Sequence, residues 1–144
     1  MKNEILNEIS LKKLIECGWY PNRKVNLKEK KKILEGEGWI IFDYALEILE
    51  NMEGLYSPNH DIIFDVMDGT FGEKMLAEEL RNLTNEETVI IGEIFMNSLI
   101  IGESRNIYIA DFPNVYYVAN GIEDALNKLF DSGFSPVFIG KLND

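Results

Sequence analysis

Hydrophobic positions change their period along the chain. Up to about residue 55 they recur at helical spacing, and from Val89 they come in short runs. The first helical pattern covers residues 4–16, with Ile5, Ile9, Leu11, Leu14 and Ile15 on one face and Lys12, Lys13 and Glu16 on the other. Gly18 is placed to end this helix in a left-handed cap. Trp19, Tyr20 and Pro21 follow as a turn, with Trp19 large enough to fill the junction between helix and sheet. Asn26-Leu-Lys-Glu29 opens a second helix as a capping box, which runs to about Glu35 before Gly36 and Gly38. Asp43 is read as the cap of a third helix, from about Tyr44 to Met52, and Gly54 as its end. Ser57 to His60 is a loop, Asp61 to Val66 a strand, Asp68-Gly69 a turn, and Glu73 to Leu83 a fourth helix.

The stretch from Val89 to Phe130 organises the rest. Val89–Phe95, Ser98–Gly102, Asn106–Ala110 and Asn114–Val118 are apolar, β-branched and aromatic runs separated by Gly, Asn and Pro. The gaps leave no room for crossover helices, so the runs predict an antiparallel meander. Gly121 to Phe130 then reads as one amphipathic helix, and Phe134 to Ile139 as either an extra edge strand or an apolar tail. The expected fold is α+β: a mostly antiparallel sheet of about five to six strands, with N-terminal helices and a C-terminal helix packed against it and the chain before Val89 covering one face. Residues 1–144 are expected to form one domain.

Composition narrows the class. The chain is 46% hydrophobic and 27% charged, which excludes disorder. Its length allows burial of roughly two thirds of the unfolded surface without a staple. Cys17 is the single cysteine, so no internal disulfide forms and a reducing cytoplasm is expected. The opening Met1-Lys-Asn-Glu-Ile does not read as a leader, and no apolar run approaches the roughly 18 residues of a membrane helix.

The net charge of −11 is unevenly placed. Residues 1–40 hold nine Lys/Arg against six Asp/Glu, and residues 41–144 hold five against nineteen. Such an acidic body repels nucleic acid and acidic membranes and attracts a basic partner, although solubility alone is served equally well. The lysines at 28, 30, 31 and 32 lie among Glu29, Glu35 and Glu37 and read as a solvated helix face.

Candidate chemistry is sparse. Ile62-Ile-Phe-Asp65-Val-Met-Asp68-Gly69-Thr70 resembles a haloacid-dehalogenase phosphatase motif, but two residues separate the aspartates where the motif has one. On a strand that spacing sends Asp65 and Asp68 to opposite sides. Asp61, Asp65, Asp68 and Glu73 lack the spacing and central glycine of a calcium loop. His60 has no nearby nucleophile in sequence, and Cys17 at a helix end reads as core. Phe95, Tyr108, Tyr116 and Tyr117 suit cross-strand packing better than base stacking in so acidic a segment. With no catalytic residue, metal site or cofactor motif, the chain reads as a binding protein.

Leu14-Ile-Glu-Cys-Gly18-Trp19-Tyr-Pro21-Asn-Arg23-Lys-Val25 resembles the opening signature of a subgroup of the SUKH superfamily. Further pieces agree in order: Ala45 to Leu55, Ile91-Gly92-Glu93, Leu99 to Gly102, Ile107-Tyr108, and Gly121 to Leu129. Two departures stand out. Glu53 replaces a glycine before the Gly-Leu turn, and Arg105-Asn106 replaces a turn glycine, with Asn expected to take the left-handed conformation. The resemblance implies a bacterial immunity protein that binds a cognate toxin domain, often a nuclease or deaminase; a regulatory module is the alternative. It assigns Gly18, Trp19, Pro21, Arg23, Gly92, Glu93, Gly102 and Tyr108 to the signature, read as structural, with Arg23 expected to pair with Glu93. The candidate partner-binding residues are the acidic Asp61, Asp65, Asp68, Glu103 and Asp111. A toxin domain with a basic surface is the expected partner, with neither nucleic acid nor membrane.

Overall fold

Two helix ends built alike frame the N-terminal region. The computed structural model describes residues 1–2, 4–66 and 74–142. Helix α1 (Glu8–Glu16) starts at Asn7, whose Oδ1 accepts the Ser10 N–H at 2.8 Å. It ends at Gly18 with φ 103°, where Gly18 N–H donates to Ile15 O at 2.9 Å and Trp19 N–H to Leu14 O at 3.0 Å. That pair of bonds is a Schellman closure, which needs a left-handed residue. Helix α2 (Lys28–Gly36) closes the same way at Gly38 (φ 97°), with Gly38 N–H on Glu35 O and Trp39 N–H on Leu34 O, both at 3.1 Å. Each closure turns a tryptophan inward, leaving Trp19 3% and Trp39 2% exposed.

Other expectations at this end divide. Asn26 does lie over the start of α2, its Oδ1 accepting the Lys28 N–H at 2.9 Å, but Leu27 holds the cap position and no side-chain cap bond closes it. Asp43 does not cap helix α3 (Asp43–Met52): Phe42 holds the cap position, and Asp43 sits in the first turn, where its charge meets the positive helix end. The α3 stripe of Ala45, Ile48, Leu49 and Met52 is buried as its spacing predicts. The face assigned to α1 is corrected. Leu6, Ser10, Leu14 and Cys17 are buried, while Ile5, Ile9 and Ile15 are exposed. Steps of four and three residues keep one face, and the three isoleucines fall to either side of it.

Six strands form one antiparallel sheet in chain order: β1 (Ile62–Ile63), β2 (Thr88–Ile94), β3 (Asn97–Gly102), β4 (Asn106–Asp111), β5 (Asn114–Asn120) and β6 (Val137–Lys141). The segment from Phe134 onward therefore ends in an edge strand. β1 is shorter than expected because Phe64 leaves the ladder: its N–H donates to Leu55 O at 2.8 Å and its O accepts from Gly54 N–H at 2.7 Å. The sequence expectations at Asp68, Gly69 and Glu73 lie outside the described residues.

The sheet is covered on both faces, not one. Val89 to Ile91, Leu99 to Ile101 and Ile107 to Ala110 are buried without alternation. Register places Gly140, Val115, Ala110 and Tyr108 on one face, where Leu83 of helix α4 (Lys74–Thr84) packs against Gly140. Helix α5 (Ile122–Leu129) returns along β5 and β4 and meets α1, where Asn127 Nδ2 donates to Ile5 O at 3.0 Å.

Alternate turns fall at opposite sheet ends. The β2–β3 turn at Phe95-Met96 and the β4–β5 turn at Phe112-Pro113 share one end with Asp61, which leads into β1. The β3–β4 turn at Glu103 to Arg105 lies at the other. Among the described residues, no helix is long and apolar enough to cross a membrane.

Candidate functional site

Arg23 holds a helix end. Its Nη1 donates to Asn51 O at 2.9 Å and its Nη2 to Glu53 O at 2.8 Å. These carbonyls close α3, where the dipole is negative and the last C=O groups lack helical partners. The expected pair with Glu93 is absent: no ion pair joins the two among the described residues. Glu93 instead sits half-buried in β2, between Ile63 and Ser98. A guanidinium fork fits two converging carbonyls at a helix terminus as well as it fits a carboxylate, and sequence shows only the charges.

The remaining signature residues, Pro21 apart, occupy closely packed places. Pro21 is exposed in the turn after Trp19. Gly92 lies at a register shift in β2, against the Ile63–Phe64 backbone, which leaves no room for a side chain. Gly102 faces the Glu86 carboxylate, and the buried Tyr108 donates its hydroxyl to Glu86 Oε2 at 2.6 Å.

Glu86 is the centre of the β3–β4 end, and sequence reading passes over it as part of a polar break. One carboxylate accepts Ser104 N–H and Ser104 Oγ–H at 2.7 Å, Asn106 Nδ2–H at 3.1 Å and the Tyr108 hydroxyl. Burial alone would raise its pKa, but the bonds from Tyr108, Ser104 and Asn106 outweigh it and hold the carboxyl below the usual range. Burial and then the Glu86 bond push the Tyr108 hydroxyl up. In the adjoining turn the left-handed residue is Arg105, φ 75°, not Asn106. Its guanidinium lies 4.3 Å from the Tyr44 ring centroid, and its carbonyl accepts Gly121 N–H at 2.7 Å.

Glu53 also has a defined task. It is 4% exposed, and its carboxylate accepts Lys30 Nζ at 2.9 Å and the Val66 N–H at 3.1 and 3.2 Å. Burial raises its carboxyl, while the Lys30 and Val66 bonds act in the opposite sense.

The acidic candidates do not converge. Asp61 and Asp111 are exposed at the sheet end that carries Phe95-Met96. Glu103 is at the opposite end, beside a cleft of about 570 Å³ shared with Asp43, Tyr44, Glu47 and Arg105. Asp65 is half-buried after β1, and Asp68 lies outside the described residues. The loop before Asp61 is stitched internally: Ser57 Oγ donates to Asn59 Oδ1, and Asn59 Nδ2 to Asp61 Oδ2, both at 2.8 Å. Phe95, expected within a strand, is instead a turn residue beside Met96, a shift by the hairpin that alternating apolar residues do not reveal.

The nucleophile candidates are quiet. Burial, then the neighbouring Glu16 charge, pushes the Cys17 thiol up to about 11, so it carries no thiolate near neutral pH. His60 is exposed, its ring stacked on Tyr56 with centroids 5.3 Å apart. Among the described residues, no three His, Cys, Asp or Glu side chains gather closely enough to hold a metal ion. Searches of curated proteins and of solved structures found no match. A family model does match: that of the SUKH-3 immunity proteins, over residues 7–132, and the chain belongs to this family.

Proposed function

We propose that this immunity protein neutralises a cognate nuclease or deaminase toxin domain by stoichiometric binding, through an acidic surface that covers a basic one. The observation that carries the reading is the charge of residues 41–144, nineteen Asp/Glu against five Lys/Arg. Asp61, Glu103 and Asp111 are exposed at the ends of that segment's sheet. Enzymes that act on nucleic acid present basic clefts, and an opposed acidic surface both speeds encounter and selects the partner. Nothing in this mechanism consumes a substrate: the chain occludes the cleft and excludes the toxin's own ligand.

Co-expression tests it. Cells producing the toxin domain encoded beside this chain are expected to survive only with the chain present. The two purified proteins are expected to form a complex with a Kd below about 1 μM, near −8 kcal/mol. Survival without complex formation, or a complex that leaves the toxin active, overturns the proposal.

A further inference from the structure

The β2–β3 turn departs from hairpin preference. Both of its central residues have positive φ, 50° at Phe95 and 72° at Met96. That geometry favours Asn-Gly, because a bulky side chain crowds its own backbone there. Neither residue is buried in exchange: Phe95 is still 46% exposed and Met96 91%. Strained backbone that displays apolar side chains is a pattern of binding sites.

The surroundings have the same character. Ser98 pairs with Ala110, which brings the exposed Phe112 to this end. Phe95 is held in place: its N–H donates to Asp61 O at 2.7 Å, and its ring meets Phe130 edge-on, centroids 6.3 Å apart. It walls a cleft of about 280 Å³ with Glu16, Pro58, Asp61 and Ile62. Three exposed carboxylates, Glu16, Asp61 and Asp111, flank the apolar residues. Cations near this end among the described residues include Lys141, opposite Asn114 in the β5–β6 register, the exposed Lys12, one turn before Glu16 on α1, and Lys13, whose ammonium lies 5.7 Å from the Phe130 ring centroid. An apolar centre with a charged rim is the anatomy of a protein interface.

We infer that Phe95, Met96 and Phe112 anchor the toxin domain. An apolar recess on the toxin receives the two turns, and Arg or Lys at its rim meets Glu16, Asp61 and Asp111. The inference rests on the immunity reading and adds the surface. Charge favours a basic occupant: two copies of this chain, each at −11, repel one another as bodies.

The test titrates the inactivated toxin domain encoded beside this chain against the wild type, Met96→Gly, Met96→Asn, Phe112→Ser and Glu103→Lys, with Tm measured for each. Gly and Asn accept positive φ, so both Met96 variants are expected to keep or raise Tm while weakening Kd by roughly tenfold or more. Phe112→Ser is expected to weaken binding too, and Glu103→Lys, at the far end, to weaken it several-fold less, through the acidic field and the association rate alone. Wild-type affinity in the Met96 and Phe112 variants overturns this surface and leaves the immunity reading standing. Loss confined to Glu103→Lys moves the interface to the other end and also overturns it. A self-associating wild type dispersed by Met96→Gly, with toxin affinity unchanged, assigns the patch to a second copy. A wild type that neither binds nor protects removes the immunity reading, and this surface with it.

Discussion

Glu53 shows how much one residue can hold together. Its carboxylate joins α2, through Lys30, to the chain at Val66, while its carbonyl receives Arg23. Removing the side chain leaves a buried N–H without a partner, which costs about 1–3 kcal/mol. Glu53→Ala is therefore expected to lower the urea midpoint accordingly, whereas Glu53→Gln, which keeps an acceptor for Val66 and removes a desolvated charge, is expected to stay within about 1 kcal/mol of wild type. Equal losses in both variants would show that the ion pair to Lys30, not the Val66 bond, matters. Residue-scale legibility follows locality. Gly18 is readable because a left-handed cap is a demand of the helix it ends. The partners of Arg23 are not readable, because Asn51 and Glu53 reach it only through the tertiary fold.

At the scale of elements, the β3–β4 hairpin is fixed to the chain before β2 by Glu86. The sign of its pH dependence follows from its lowered pKa: the stabilisation is present above the unfolded carboxyl value, about 4.3, and is lost as pH falls through the lower folded value. Glu86→Gln is expected to cost about 1 kcal/mol at pH 7, a discounted value for a half-exposed carboxylate. The difference from wild type should shrink below about pH 4, as the native carboxylate also protonates. A difference constant from pH 7 to pH 3 in parallel denaturant titrations would rule out the carboxylate as its source. The hairpin itself is legible as two β-branched runs with a polar turn, but its hub is not. The donors Ser104, Asn106 and Tyr108 are about twenty residues from Glu86 in sequence. The α1 face divides for a related reason: Leu14 is buried as its spacing predicts, but Leu6 and Ser10, not the three isoleucines, complete the buried face.

For the whole molecule, periodicity carried the architecture: the meander, the closing helix and the α+β class are all present. It did not show that both sheet faces are covered, because that depends on where α4 docks rather than on any strand's own pattern. Charge makes a kinetic statement at this scale. If the acidic body steers its partner, raising salt from about 0.02 to 0.5 M should slow association by roughly tenfold or more and alter dissociation much less. Stopped-flow rates insensitive to salt would remove steering from the account. The paired Gly-Trp closures have an optical consequence. Both of the chain's tryptophans are buried, at positions 19 and 39, and neither strand nor sheet-end turn holds one. Indole emission is therefore a built-in reporter of the N-terminal helices alone. Compared with circular dichroism from the sheet, it tells whether the two layers melt together or apart.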